Sequence, residues 1–325
     1  MTIQVIRNYK LLGISDLAFL IINFIKTLKA TTMLVKNNKS SIVFFIKSIW
    51  VDIAAIITYA LVIGTLDHNT ILREIAIPLP ITSIMGTIVG LLLAFRTAQS
   101  YDRWWEARKV WGEIVNDSRT LIRQTKQFLP DSDSELKEFA QRQVIWCFAL
   151  SESLRKIPFS KRVGSYLEQH YIKANNVPAE LLNRHADQLA LVTKKFGLND
   201  NKQVQIDTTI ARLNDAMGKC ERIKNTVFPK SYSLLIHFLI YLLTSILPFG
   251  LEDSFPAIEI VLTIVISSTF IAVEKTAIIM QDPFENSPTD IPMTALCTVI
   301  ENNIKEICSD TVIPAIQTDS YYYIN

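Results

Sequence analysis

Long uncharged stretches alternate along this chain with charged stretches of helical period. Four apolar runs approach the 20 residues that a helix needs to cross about 30 Å of hydrocarbon. Ile75–Phe95 runs for 21 residues without a charge, and Tyr232–Leu251 is interrupted only by His237. Ile53–Leu66 is continuous for 14 residues and reaches spanning length by including Asp52 and Trp50 upstream. Ala257–Val273 carries Glu259 near one end and continues past Glu274 and Lys275 to Met280. The pattern predicts four transmembrane helices arranged as two hairpins. Ile14–Ile25 is too short for a fifth and holds Asp16 and Asn23, so residues 1–41 read as an amphipathic N-terminal arm.

The stretch between the hairpins reads as helix. Trp104, Trp111, Ile114, Ser118, Leu121 and Phe128 share one helical face. Pro130 with the following Asp131, Ser132 and Asp133 stops that helix and starts the next, Ser134–Ile157. Further helices are expected over Lys161–Lys173, Pro178–Phe196 and Lys202–Asn225. Asp290 is expected to cap a last helix, with Pro292 in its first turn, running to about Cys308. Strand alternation and Asn-Gly or Asp-Gly hairpin signals are absent.

Composition narrows the class. Of 325 residues, 49% are apolar and only 20% charged, and mean hydropathy is +0.24. Disorder and a collagen-like chain are excluded, the latter by only 9 Gly and 12 Pro. A net charge of +2 gives no support to a nucleic-acid partner. Lys36, Lys39 and Lys47 precede the first span, and Arg96, Arg103, Arg108 and Lys109 follow the second. The short connections between paired spans hold one basic residue, Arg73. The positive-inside rule therefore puts both termini and residues 96–231 in the cytoplasm of a multi-pass protein. The expected division is an arm at 1–41, helices one and two at 42–95, and a cytoplasmic helical region at 96–231. Helices three and four follow at 232–281, then a cytoplasmic C-terminal helix and tail at 282–325.

Chemistry of the common enzyme classes is missing. Neither glycine-rich phosphate cradle occurs, and no His-Glu-x-x-His exists. Cys147, Cys220, Cys297 and Cys308 form no Cys-x-x-Cys pair and read as reduced, packed residues. Ser151 and His170 lack a nucleophile elbow. The expectation is no enzyme, no cofactor and no metal. Glu274 with Lys275 reads either as an intramembrane ion pair or as charges snorkelling to an interface.

The densest stretch is residues 94–119, with three Trp interleaved with charge. On composition it reads as an interfacial aromatic belt with ion pairs four residues apart and cation–π contacts. Its residues also resemble a known signature. Phe95-Arg-Thr-x-x-Ser-Tyr-Asp-Arg-Trp-Trp-Glu-Ala-Arg-x-x-Trp-Gly, then Asn116-Asp-Ser-Arg, looks like that of the bacterial bestrophin family. Cys220-Glu-Arg-Ile-Lys-Asn-Thr-x-x-Pro and Asp282-Pro-Phe resemble its two other landmarks, in the same order. The signature residues so marked are Arg96, Tyr101, Asp102, Arg103, Trp104, Trp105, Glu106 and Arg108.

The resemblance implies an all-α membrane protein of a bacterial inner membrane. It would have four transmembrane helices per subunit and assemble as a homopentamer around a single axial pore. The second helix of each subunit would line that pore through a hydrophobic neck, with a second aperture on the cytoplasmic side. Thr87, Leu91 and Phe95 match the neck positions and lie on one stripe at i, i+4 and i+8. Thr87 stands where the family has a bulky apolar residue, which implies a looser neck. Gly86 and Gly90 on a neighbouring face permit close helix approach. Val204, within 201–206, is the expected aperture residue, a solvated helix start being the other reading of that segment. Asp282, Glu285 and Asp290 are too few for the acidic calcium clasp of animal members. The implied function is conduction of small monovalent ions through the bilayer, leaning to anions such as chloride because Arg96 and Arg103 sit close to the neck. A cation-selective channel of the same fold, and a membrane scaffold or sensor, remain the alternatives.

Overall fold

A computed structural model describes residues 38–69, 77–129, 133–226, 228–251, 256–287 and 289–309. The expected arm lies almost wholly outside these residues, as do most of the two short connections used for orientation. Every element among the described residues is helical. They are α1 (Asn38–Asn69), α2 (Leu79–Phe128), α3 (Asp133–Arg155), α4 (Lys161–Gln169), α5 (Val177–Phe196), α6 (Asp200–Asn225), α7 (Lys230–Ile246), α8 (Pro256–Gln281) and α9 (Met293–Ser309).

Two apolar cores divide the molecule. The first joins Ile56 of α1, Val89 and Leu93 of α2, Ile236, Ile240 and Leu243 of α7, and Ile271 of α8. Outside it, these helices still expose Trp50, Leu61, Leu234, Phe238, Val261 and Val265. Apolar residues both inside and outside a bundle are what a lipid environment requires. The second core packs Trp111, Phe139, Trp146, Leu181, Leu213, Phe284 and Ile300 from α2, α3, α5, α6, the 282–292 loop and α9. It is bounded by charged faces, as in a soluble bundle.

α2 belongs to both cores. Its 50 residues extend about 75 Å at 1.5 Å per residue, more than twice the hydrocarbon thickness. No proline or glycine pair interrupts Leu79-to-Phe128 past Pro80, so the apolar run passes unbroken into the charged stretch. The predicted face of that stretch is realised at Trp111, Ile114, Ser118 and Leu121, all buried, while Trp104 and Phe128 are half-buried at its ends.

Local signals fix the other boundaries. Asn176 Oδ1 accepts from Ala179 N at 3.1 Å to start α5, and Gly197 ends it at φ +61°, where a side chain would be strained. Asn199 Oδ1 accepts from Asn201 N at 2.9 Å to start α6.

Among the described residues three helices are long and apolar enough to cross a membrane: Phe44–Leu66 within α1, α2, and Ala257–Gln281 within α8. The expected third span is shorter than the run Tyr232–Leu251 suggests. α7 has 17 residues, about 25 Å, and yields to a 3₁₀ turn at Pro248–Gly250. Pro248 offers no N–H to continue the ladder. The chain then folds onto the start of α2, where Ile77 N donates to Phe249 O at 2.8 Å. α6 and α7 together reach spanning length as a pair bent by 46°, and counting that pair as one span gives four.

Candidate functional site

Thr87, Leu91 and Phe95 occupy one stripe of α2, on the side opposite Val89, Leu93, Arg96 and Ser100, which face the bundle. Leu91 and Phe95 are each 58% exposed within the single subunit. Thr87 Oγ1 donates to Ser83 O at 2.9 Å, so its proton is tied to its own helix and the stripe presents no free donor there. The result is an uncharged, largely apolar strip along one continuous helix. Val204 is 62% exposed, one turn into α6.

Gly86 and Gly90 face open space within the single subunit. A Cβ on Gly86 would meet nothing within 4 Å, and one on Gly90 only the Phe270 ring at 4.0 Å. The tight approaches are elsewhere. A Cβ at Gly64 would sit 2.4 Å from Ile260 Cγ1, and one at Gly250 2.4 Å from Thr82 Oγ1.

Three sequence landmarks, at 95–119, 220–229 and 282–284, meet at one junction. The Arg103 guanidinium donates to Ile223 O at the end of α6. Glu106 pairs with Arg222, and Trp104 Nε1 donates to Thr289 O at 3.0 Å. Lys224 Nζ donates to Asp282 Oδ2, whose other oxygen accepts from Phe284 N at 3.2 Å. Tyr101, Trp104 and Trp105 form a stacked row with centroids 6.2 and 6.3 Å apart. Asp102 and Arg108 are exposed on the same helix. The signature thus ties α2 to α6 and to the 282–290 loop, rather than forming ion pairs along its own helix.

The charges near the apolar core are arranged differently from the expectation. Glu274 pairs not with Lys275 but with Arg96, Oε1 to Nη1 at 3.1 Å, with side chains 5% and 2% exposed. Arg96 Nη2 also donates to Ser233 Oγ at 3.0 Å, and its guanidinium lies 5.5 Å from the Phe228 ring centroid. Glu274 Oε2 lies 3.0 Å from His237 Nδ1. Arg96 and Arg103 are therefore both engaged within the protein. Nothing in the sequence announces the hydrogen-bond partners of Arg96, which lie 137 and 178 residues away.

Asp290 does not cap α9. Its carboxylate accepts from Ser287 N and Ser287 Oγ, each at 2.7 Å, and closes the preceding loop. Burial nevertheless pushes its pKa up, against the lowering effect of those bonds. Asp282 is committed to Lys224, and among the described residues no three His, Cys, Asp or Glu side chains gather as a metal would require. Cys147, Cys220 and Cys297 are buried and Cys308 half-buried. Burial pushes the Cys147 thiol up to about 12, against the lowering bonds from Ser118 and Gln143.

A sequence model of the bacterial/fungal bestrophin proteins matches residues 26–306 of this chain. The voltage-dependent anion channel-forming protein YneE of Escherichia coli (strain K12) is 32% identical over 247 residues, 74% of this chain and 81% of that protein. The voltage-dependent anion channel-forming protein alr2987 of Nostoc sp. is 31% identical over 254 residues, 74% of this chain and 82% of that protein. In three dimensions the chain is similar to a bacterial bestrophin homologue from Klebsiella pneumoniae. The TM-score is 0.72 at 23% identity, over 81% of this chain and 98% of that one.

Proposed function

The chain belongs to the bacterial/fungal bestrophin family, and from that premise we propose that it is a membrane channel for small monovalent ions with a preference for anions such as chloride. The observation that carries the reading is the apolar stripe Thr87, Leu91 and Phe95, exposed on the one helix that belongs to both cores. Five copies of α2 around one axis would bring these stripes together as a hydrophobic neck, which passes ions when wetted and blocks them when dry. Gly86 and Gly90, open within the subunit, would let neighbouring copies approach closely. Val204 would line a second aperture beyond the membrane, and the signature junction would hold the pore helix against the cytoplasmic bundle.

In this reading residues 42–95 and 232–281 lie in a bacterial inner membrane. Residues 96–231 and 282–325, with both termini, lie in the cytoplasm. The protein acts without catalysis and without a bound cofactor or metal. The anion preference rests on the likeness to the anion channel-forming proteins YneE and alr2987, because Arg96 is paired with Glu274 rather than free beside the neck. That same pairing favours one second reading, a cation-conducting channel of this fold. Planar-bilayer recording in asymmetric KCl separates them. Reversal near the chloride equilibrium potential supports the first reading, and reversal near that of potassium replaces it with the second. A monomer in mild detergent, with no conductance on reconstitution, would remove the axial pore and leave a scaffold.

A further inference from the structure

The neck accounts for one face of α2 and leaves a buried charged cluster on the other. Arg96 follows Phe95 directly, and its guanidinium is turned into the bundle between Glu274 of α8 and Ser233 of α7. Glu274 is shared: one oxygen takes Arg96, and the other lies 3.0 Å from His237 Nδ1 on α7. One turn further along α7, the Tyr241 ring meets the His237 ring edge-on with centroids 4.9 Å apart. The Tyr241 hydroxyl donates to Asp52 of α1 at 2.9 Å. The ionisable groups around His237 are thus Glu274 from α8, Arg96 from α2, Tyr241 from α7 and, through that tyrosine, Asp52 from α1.

Two features distinguish this cluster from a passive buried ion pair. The His237 side chain is 48% exposed within the single subunit whereas those of Glu274 and Arg96 are 5% and 2%, so the imidazole is the least enclosed member of the cluster. Arg96 Nε has no hydrogen-bond partner, so the guanidinium is held by two bonds and one of them depends on Glu274. Histidine is the side chain that ordinarily changes charge between pH 5 and 8.

Building on the reading of α2 as the pore helix, we propose that His237 and Glu274 are positioning residues for the neck, which make conduction depend on pH by controlling Arg96. With His237 neutral, its Nδ1–H donates to Glu274, and the carboxylate balances Arg96. When His237 takes up a proton, imidazolium and guanidinium compete for one carboxylate, and the cluster gains a net positive charge in an apolar surrounding where charge is weakly screened. Arg96 is then less fully neutralised, and the added positive charge lies directly behind the neck stripe, on the bundle face of α2. Anion conductance therefore rises as pH falls.

The test is the conductance of the reconstituted full chain in symmetric KCl, from about pH 8 to about pH 5.5. The wild type is expected to conduct measurably more at the acid end than at the alkaline end. His237→Gln, which keeps a donor but does not titrate, should flatten the profile at the alkaline level. His237→Lys, a permanent cation, should flatten it at the acid level. Glu274→Gln removes the contested charge and should also abolish the slope. If Glu274→Gln does not fold, the two His237 variants, at a half-exposed position, carry the test. A His237→Gln profile matching the wild type would overturn the proposal and direct the pH response to another group, such as buried His185. A conducting wild type with no pH response would overturn it too. Absence of current from both the wild type and the neck-widened Leu91→Ala/Phe95→Ala variant would instead overturn the channel reading on which this rests.

Discussion

Removing the Glu274 carboxylate while leaving Arg96 in place isolates the energetics of the buried cluster. In Glu274→Ala, Arg96 keeps the Ser233 hydroxyl and the Phe228 ring but has lost its carboxylate partner in the apolar core. Breaking a buried pair by deleting one partner costs about 3–5 kcal/mol, because the remaining charge stays desolvated and uncompensated. Both side chains are at most 5% exposed, so solvent screening calls for no large discount. At roughly 2–4 °C per kcal/mol for a chain of this class, the midpoint should fall by about 10 °C. Replacing both partners with apolar residues, Arg96→Met with Glu274→Met, should cost far less and return most of that loss, since neither charge then needs pairing. The assay is loss of the monodisperse oligomer peak with temperature in mild detergent. A Glu274→Ala midpoint equal to the wild type, or a double variant as unstable as the single one, would refute the reasoning.

Other expectations follow from the same structure. Asp282→Ala strips the acceptor from half-buried Lys224 and should cost about 1–2 kcal/mol. Glu106→Ala, at the exposed Arg222 pair, should cost less than about 1 kcal/mol; thermal midpoints compare the two, and equal losses would contradict this account of the junction. His185 is buried against Phe139, and burial, helped by nearby Arg142, holds its pKa well below the ordinary value. Its folded pKa being depressed, its contribution to stability is fully present above about pH 6.5 and is lost as pH falls. His185→Phe should flatten that acid limb in a pH series of unfolding midpoints, and an unchanged limb would place its origin elsewhere. Calcium titrated onto the reconstituted wild type should leave conductance unchanged, Asp282 and Asp290 both being engaged by protein groups; activation by calcium would contradict that.

Much of the architecture could be read in the chain because it rests on local pattern. The run Ile75–Phe95 and the face through Trp111, Ile114, Ser118 and Leu121 predict two pieces of helix, and their fusion into α2 follows from the lack of any breaker between them. The run Tyr232–Leu251 misled for a related reason. Hydropathy registers Leu247 to Leu251 as apolar, while Pro248 ends the helix and Gly250 is drawn close to Thr82, a contact with residues far earlier in the chain. The same distance hid the charged cluster. Glu274 stands next to Lys275 in sequence, but helical geometry turns adjacent side chains apart, and its partners come from α2 and α7. Asp290, two residues before Pro292, has the residue type of a helix cap, yet Ser287, with two donors three residues before it, takes the carboxylate. The landmark motif was legible as a signature, but its purpose as a junction emerged only when Arg103, Glu106 and Trp104 were seen reaching Ile223, Arg222 and Thr289.

The central claim is that the exposed stripe of α2 forms the conducting neck, and widening it tests this most directly. Single-channel conductance of reconstituted Leu91→Ala/Phe95→Ala should exceed that of the wild type, with a more linear current–voltage relation, because two rings of bulky apolar side chains are reduced to methyl groups. Conductance and rectification identical to the wild type in that variant, recovered as the same oligomer, would place the neck elsewhere and contradict the account.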